Sequence, residues 1–292
     1  MSKRFVSIWF RHLTTDWFTL RQPTLKTVPF VLAAPDHGRM IITAANLPAQ
    51  MQSINTGMAV ADARAFFPTL QVIDDKPGLP DKLLKALAEW CIRFTPFTAV
   101  DAPDGIILDV SGCAHLWGGE RLYLKEIITR LKSKGYDVRT GMADTIGAAW
   151  AIARFGQVTP LIESGAQAAA LHALPPAALR LEPAMQERLH KLGLTQIRHL
   201  MGMPVPALRR RFGPELLQRL DQAMGQEDET IQPVQPIEPY HERLPCLEPI
   251  VTSGGIEIAL QRLLDTLCLR LQQEGKGLRT AVLKCYRVDG KM

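Results

Sequence analysis

The chain has 292 residues, of which 47% are hydrophobic, and a formal net charge of +5. This length predicts two to four domains rather than one core, and the apolar content argues against disorder. No apolar run reaches the roughly 20 residues of a membrane helix, and the first residues, MSKRF, lead into no secretion signal. We therefore expect a cytoplasmic protein.

The cysteines and tryptophans are both scattered along the chain. The five cysteines form no CxxC pair, which favours buried free thiols over disulfides or a metal site. The five tryptophans lie mostly on apolar faces, so we expect them in cores rather than in a base-stacking platform.

The first 165 residues alternate between strand and helix patterns. Strand patterns lie at 4–13, 28–34, 39–45, 70–74, 98–103, 105–110 and 136–143. Helix patterns lie at 59–68, 81–94, 121–135 and 144–156. This order predicts an α+β domain with an open sheet, and no GxGxxG or Walker sequence is present.

From about residue 166 the pattern is helical. Short helices are paired across Leu192-Gly193-Leu194 and across Phe212-Gly213-Pro214. Such pairs serve either as packing units or as clamps whose hairpin amides hold a DNA phosphate. Residues 184–225 carry seven Lys/Arg against three Asp/Glu, which favours the DNA interpretation. The predicted DNA contacts are Lys191, Arg198, Arg209, Arg210 and Arg211.

The C-terminal part is expected to be an incomplete domain. Residues 226–245 hold four prolines and predict an extended linker. A helix at 254–275 and a strand at 279–288 follow, and these two elements alone cannot bury a core. Residues 262–292 again carry seven Lys/Arg against three Asp/Glu.

Four passages resemble Y-family (translesion) DNA polymerases, in the order of that family. They are 39–68, VDAPDGIILDVSG, GMADTIGAAWAIARF and the helical passage from Leu171 to Gly213. The resemblance implies a right-hand fold with an incomplete little finger. The implied domains are a palm at 1–10 and 77–165, fingers at 11–76, a helix-hairpin-helix thumb at 166–228, a linker at 229–241 and a partial little finger at 242–292.

The implied catalytic site lacks most of its carboxylates. The family holds two metal ions with an acid on the first palm strand and an Asp-Glu pair on the second. Here the first window, Ile8 to Arg11, has no acid before Asp16, and Arg11 places a cation there. The Asp-Glu pair falls on Asp104-Gly105, so Asp104 is the one candidate residual ligand.

Two further observations concern the neighbouring acids and the nucleotide pocket. Asp101 and Asp104 are also explained as turn-forming acids in DAPDG, and Asp109 is interpreted as structural. The family's triphosphate-binding Tyr, Arg and lysines correspond here to uncharged or apolar residues. Each lost cation removes charge-assisted bonds of roughly 1.5–3 kcal/mol. These positions are Leu47, Gln50, Ile146 and Trp150.

A Y-family shape without catalytic residues resembles the ImuB-type subgroup of bacterial mutagenesis proteins. That resemblance implies a non-catalytic, nucleoid-associated DNA scaffold without a cofactor. It also implies three partners besides DNA: a sliding clamp, an error-prone replicative-type polymerase and a RecA-like ImuA-type accessory protein. The first alternative is an active translesion polymerase with a non-standard Mg²⁺ site. The second is a DNA-structure binder unrelated to mutagenesis.

Overall fold

The computed structural model describes residues 3–157, 159–235 and 240–286. The chain divides into two compact units, residues 1–236 and 237–292. The elements in chain order are β1 (Phe5–Phe10), α1 (Leu13–Arg21), β2 (Phe30–Asp36), β3 (Arg39–Ala45), α2 (Leu47–Met51), α3 (Val60–Phe66), β4 (Gln71–Asp74), α4 (Leu79–Cys91), β5 (Thr98–Asp101), β6 (Gly105–Asp109), α5 (Glu120–Ser133), β7 (Val138–Ala143), α6 (Ile146–Phe155), α7 (Gln167–Leu171), α8 (Pro183–Lys191), α9 (Ile197–Met201), α10 (Val205–Phe212), α11 (Pro214–Met224) and α12 (Ser253–Gln273).

The larger sheet is antiparallel, in the order β5-β6-β1-β7. Alternation along β1 sends Val6, Ile8 and Phe10 into a core shared with α4 and α5, whereas Phe5 packs with α6 on the other face. Both faces of β1 are therefore covered, which explains why its sequence is an almost continuous apolar run. The predicted α+β class with an open sheet is confirmed.

Helix α6 packs very closely on this sheet because the facing residues are small. A Cβ atom at Gly141 of β7 would lie 2.3 Å from the carbonyl oxygen of Ala149. The Thr145 side chain caps α6 by accepting the amide of Ala148, and its hydroxyl donates to the carbonyl of Ala223 on α11 at 2.9 Å. The sequence therefore fixes both the depth of α6 and its contact with the helical region.

The smaller sheet has the order β3-β2-β4, with β2 antiparallel to β3 and parallel to β4. Asn46 joins this sheet to α2. Its side-chain oxygen accepts the amides of Ala49 and Phe30, and its side-chain nitrogen donates to the carbonyl of Val28. An Asn at this N-cap thus satisfies polar groups on both sides of the turn.

The second unit contains α12, which begins with Thr252 accepting the amide of Gly255. Leu271 is the one buried side chain among the described residues of α12. The strand predicted at 279–288 is wrong for the described residues 279–286, which form no strand. Residues 287 and 288 lie outside the described part. The described ranges of this unit offer no second strand to pair with, so an alternating pattern alone did not make a sheet.

Two expectations about burial need correction. Cys91 is buried, but Cys113 is half-buried, and Cys246, Cys268 and Cys285 are exposed. The expectation for the tryptophans holds in part: Trp17, Trp90 and Trp117 pack against cores, but all five keep part of their surface exposed because an indole is too large to be covered completely at the edge of a core. Within the described ranges, the search for a helix that could cross a membrane found none.

Candidate functional site

The candidate site lies at one end of the larger sheet, where β1 meets β6. Trp9 pairs with Gly105 in the antiparallel register, and the Phe10 amide donates to the Asp104 carbonyl at 2.9 Å. This register brings the Trp9 indole to the Asp104 side chain, where its Nε1–H donates to Oδ2 at 2.8 Å. One carboxylate oxygen of the candidate metal ligand is therefore already bonded to the first strand.

The second oxygen of Asp104 is bonded to Arg154, near the end of α6. Arg154 Nη2 lies 2.6 Å from Asp104 Oδ1 and 3.5 Å from Asp101 Oδ2. Its side chain is only 9% exposed. The guanidinium also lies over the Trp150 ring, 4.2 Å from its centroid. The cation at these acids is thus Arg154, whereas the sequence placed Arg11 there.

Arg154 is positioned from behind by a second arginine. The Arg139 side chain, on β7, donates to the carbonyl of Arg154 at 3.3 Å and to the carbonyl of Gly156. Both acceptors are at the C-terminal end of α6, where carbonyls lack partners within the helix. A cation at this end also complements the helix dipole. Arg139 therefore fixes the helix end that carries Arg154.

The electrostatics of the pair reflect burial. Burial raises the pKa of Asp101, and the guanidinium of Arg154 opposes that rise. Asp101 Oδ2 and Arg154 Nη1 are both buried and have no hydrogen-bond partner among the described groups. Asp101 and Arg154 are close enough to attract each other, but their geometry leaves one polar atom of each side chain without a described hydrogen-bond partner.

These residues do not fit a Mg²⁺ pair of the kind that the Y-family resemblance implies. Two divalent ions need several free carboxylate oxygens, and both oxygens of Asp104 are occupied by protein donors. Arg154 would also repel an ion at this place. Across the described ranges, no group of three or more His, Cys, Asp or Glu side chains could hold a metal ion.

Asp16 and Asp109, two other acids considered in the sequence, make contacts away from the Arg154–Asp104 pair. Asp16 accepts the amide of Asp137 at 2.8 Å, and Arg11 pairs with the Asp137 side chain at 2.5 Å. His12 is buried beside them, with Nε2 3.8 Å from Asp137. Asp109 accepts the amide of Ser111, which agrees with its structural interpretation. Asp16 and Arg11 thus form a separate cluster around Asp137.

The four positions that correspond to the family's triphosphate contacts carry no charge. Ile146 is buried in the core beneath the sheet, and Trp150 supports Arg154. Leu47 is 50% exposed, and the Gln50 amide is 3.5 Å from the carbonyl of Ala45. A triphosphate at this face would meet no cation from these four residues.

The helical region presents the predicted basic residues on its surface. Arg209, Arg210 and Arg211 occupy the last turn of α10, are exposed, and have no ion pair with any described residue. Arg198 is exposed on α9. Lys191 differs from these four because it is paired with Glu187 at 2.7 Å.

The first hairpin differs from the expected phosphate clamp. Gly193 has a positive φ of 73°, as its turn requires. The amides of Gly193, Leu194 and Thr195 already donate to carbonyls of the same hairpin, at 3.0, 3.0 and 3.1 Å. These donors are used to close the turn, so exposed arginines are the better candidates for phosphate contacts.

Arg154 is the site residue that the sequence analysis missed. Arg154 follows Trp150 by one helical turn, and its long charged side chain differs from the small residues that make up most of this helix. That signal could have marked it as a residue facing the sheet. Its partners Asp101 and Asp104 are about fifty residues away in sequence, and only the packing of α6 on the larger sheet brings them together.

Comparisons with known proteins agree with this fold. The family model described as the impB/mucB/samB family matches residues 8–154. Protein ImuB of Caulobacter vibrioides is 39% identical over 235 residues, which cover 80% of this chain and 51% of that protein. DNA polymerase IV of Opitutus terrae is 23% identical over 95% of this chain and 74% of its own length.

Solved structures show the same architecture. DinB from Sulfolobus solfataricus superposes with a TM-score of 0.66 at 17% identity, covering 79% of this chain and 69% of that one. A Y-family chimera of Dbh and Dpo4 superposes with a TM-score of 0.64 over 91% of this chain and 80% of its own. This chain spans about half the length of the ImuB relative. With the family model covering half of the chain and the Y-family fold confirmed, the chain belongs to the impB/mucB/samB family.

Proposed function

We propose that this chain is a non-catalytic, polymerase-like DNA-binding protein that acts in bacterial damage-induced mutagenesis and translesion synthesis. The observation that carries the proposal is the Arg154–Asp104–Trp9 cluster, which lies where the Y-family resemblance implies a metal site. Two catalytic metal ions need several free carboxylate oxygens, whereas both oxygens of Asp104 are bonded to protein donors and Arg154 lies 3.5 Å from Asp101.

DNA binding is assigned to the basic surface of the helical region. Arg209, Arg210 and Arg211 all lie in the last turn of α10, are exposed and have no described carboxylate as a partner. Exposed arginines bind phosphates without reading sequence, so the binding should be sequence-tolerant and salt-dependent. Lys191 is a weaker candidate because Glu187 competes for its ammonium group.

The bridging role rests on the resemblance to ImuB-type proteins and on the 39% identity with ImuB of Caulobacter vibrioides. We propose that the chain brings DNA together with a sliding clamp, an error-prone polymerase and an ImuA-type accessory protein. Immobilised protein should retain the purified clamp and polymerase. If it retains neither while still binding DNA, the chain is a DNA-structure binder outside mutagenesis.

An active translesion polymerase is the second candidate. It is favoured by Asp101 and Asp104, which still lie together beside β1, and by similarity to proteins named DNA polymerase IV. Primer extension with Mg²⁺ or Mn²⁺ separates the two candidates. We expect no template-directed incorporation by the wild-type protein. Incorporation that Asp104→Ala abolishes would establish the polymerase instead.

A further inference from the structure

Helices α4 and α5 cover the face of the larger sheet opposite α6 and carry an aromatic cluster at their edge. Phe94 links two half-buried indoles, with ring centroids 5.6 Å from Trp90 and 5.7 Å from Trp117. Trp117 also stacks on Tyr123 at 5.5 Å with an interplanar angle of 15°. The two indoles are therefore held in place from below.

Three cations lie on these indoles. Arg93 is 4.2 Å and Lys134 is 4.9 Å from the centroid of the Trp90 ring. Arg130 is 5.7 Å from the Trp117 centroid and is also bonded to Glu126. We call these two indoles and three cations the aromatic-basic face. Arg93 follows the C-terminal end of α4 and Lys134 follows that of α5, and both lie over the Trp90 ring. Neither has a carboxylate among its described ion-pair partners.

The layer around this face is strongly basic. Residues 79–93 and 120–134 together carry eight Lys/Arg against four Asp/Glu. Two of those acids are already bonded, Glu120 to Arg4 and Glu126 to Arg130. The excess positive charge is therefore available to an anionic partner.

Two exposed apolar side chains are next in sequence to the aromatic residues Trp117 and Tyr123. Leu116, in the 3-10 helix of Trp117, is 72% exposed, and Leu122 in the first turn of α5 is 56% exposed. Aromatic and arginine side chains beside exposed leucines have the composition of a protein interface. Isolated exposed side chains on an ordinary protein surface would not be expected to include tryptophans, cations and leucines packed above buried aromatic rings.

A nucleic-acid strand is the less suitable occupant. Base stacking needs a free ring face. Arg93 and Lys134 lie over Trp90, while Tyr123 stacks on Trp117 and Arg130 lies over it. The two indoles are only partly exposed, whereas Arg93, Lys134, Leu116 and Leu122 are exposed, and such cations and leucines suit carboxylates and apolar side chains.

We propose that the aromatic-basic face binds an acidic segment of a partner protein, with its carboxylates on Arg93 and Lys134 and an apolar anchor beside Leu116 and Leu122. This assignment is independent of the Arg154–Asp104–Trp9 cluster and of the basic α10 surface, because it uses the opposite face of the sheet from Arg154.

The test uses fluorescence anisotropy with a short labelled peptide of Asp, Glu, Leu and Phe, and with labelled oligo-dT. The charge variant is Arg93→Gln with Lys134→Gln. Its matched control is Lys26→Gln with Arg64→Gln, two exposed cations of the smaller sheet region. Leu116→Gln tests the apolar anchor separately, and far-UV circular dichroism checks the fold of each variant.

We expect saturable binding of the acidic peptide to the wild-type protein. The charge variant should weaken it about tenfold. Leu116→Gln should also weaken it, and the control pair should leave it within about twofold. Equal losses in the charge variant and the control would overturn the proposal as general attraction between charges. Loss of oligo-dT binding in parallel with the peptide would reassign the face to nucleic acid, and absence of saturable peptide binding would refute it.

Discussion

At the scale of single residues, Arg154 determines what the end of the sheet can bind. Its guanidinium is 2.6 Å from Asp104 and 3.5 Å from Asp101, and it is almost fully covered. A buried cation between two acids need not increase the free energy of unfolding, because the cost of removing the charges from water offsets much of their attraction. Removing Arg154 nevertheless leaves the carboxylates of Asp101 and Asp104 without this neighbouring positive charge.

We predict that Arg154→Met lowers the free energy of unfolding by about 2 kcal/mol. The loss leaves Asp101 and Asp104 without their cation in a site where Asp101 is already hard to ionise. The double variant with Asp104→Asn should recover part of the loss. Urea unfolding measures both, with exposed Arg64→Met as the control. Equal midpoints for Arg154→Met and wild type would show that the pair is not a structural element.

A second residue-scale prediction concerns Asp16. Burial raises its pKa to about 6, although the Asp137 amide and Arg11 oppose the rise. The folded state therefore binds the proton more tightly than the unfolded state, for which the ordinary value is 3.8. The contribution of Asp16 to stability should fall as pH rises from about 4 to about 7, because ionised Asp16 is penalised only in the fold.

Asp16→Asn should remove that loss, because an amide oxygen can still accept the Asp137 amide. At neutral pH the variant should be more stable than wild type by on the order of 1–2 kcal/mol, and the difference should vanish near pH 4. Urea unfolding across this pH range is the measurement, with exposed Asp74→Asn as the control. A variant that is less stable than wild type at neutral pH would contradict this account.

At the scale of elements, helix α10 carries the proposed DNA contacts. Changing Arg209, Arg210 and Arg211 together to Ala should weaken DNA binding equally on unrelated sequences. The slope of log affinity against log salt should become shallower by up to about three, since each phosphate contact contributes about 0.9. Anisotropy at several salt concentrations measures this, with Lys82, Lys85 and Lys125 changed to Ala as the control.

Comparing the arginine variant with the lysine control shows whether DNA binding depends on α10 or only on the total positive charge. Those control lysines lie on α4 and α5, so they remove the same charge from a different face. A loss confined to one DNA sequence, or an equal loss in the control, would contradict the assignment to α10.

The contact between α6 and α11 is a second element-scale feature. A Cβ atom at Gly147 would lie 3.0 Å from the Cα of Ala223, a backbone atom that cannot move alone. Gly147→Ala should therefore destabilise the protein by about 1–2 kcal/mol. Gly202→Ala is the control, because its nearest atom would be 3.6 Å away. Thermal or urea unfolding compares the two, and equal midpoints would mean that α11 has room to shift.

Sequence patterns predicted most of these elements because each pattern is local. The glycine-joined helix pairs are confirmed as α8–α9 and α10–α11, and the small-residue helix as α6. The strand at 279–288 could not be judged from its own residues, because a strand exists only with a partner. The sequence left open whether the hairpins are packing units or phosphate clamps, because only the closed geometry of the turn shows whether its amides are free.

At the scale of the whole molecule, the distribution of charge shows the same limit. Windows of sequence located the basic residues at 184–225 and 262–292. They missed the layer of α4 and α5, because its charges are divided between two helices that only the fold brings together. The Arg154 site escaped for the same reason, since its acids and its cation belong to separate elements. Contacts between residues that are far apart in the sequence are therefore what the sequence patterns could not predict.

The central claim is that this polymerase-like fold holds no pair of divalent ions, because internal donors occupy both carboxylate oxygens of Asp104 and the Arg154 guanidinium lies beside Asp101. Mn²⁺ titration tests it most directly, with free Mn²⁺ measured by electron paramagnetic resonance in the presence of primer–template DNA and dATP. The account predicts no protein-dependent ion pair with a Kd below about 1 mM. Two Mn²⁺ ions bound per chain, and lost on Asp104→Asn, would contradict it.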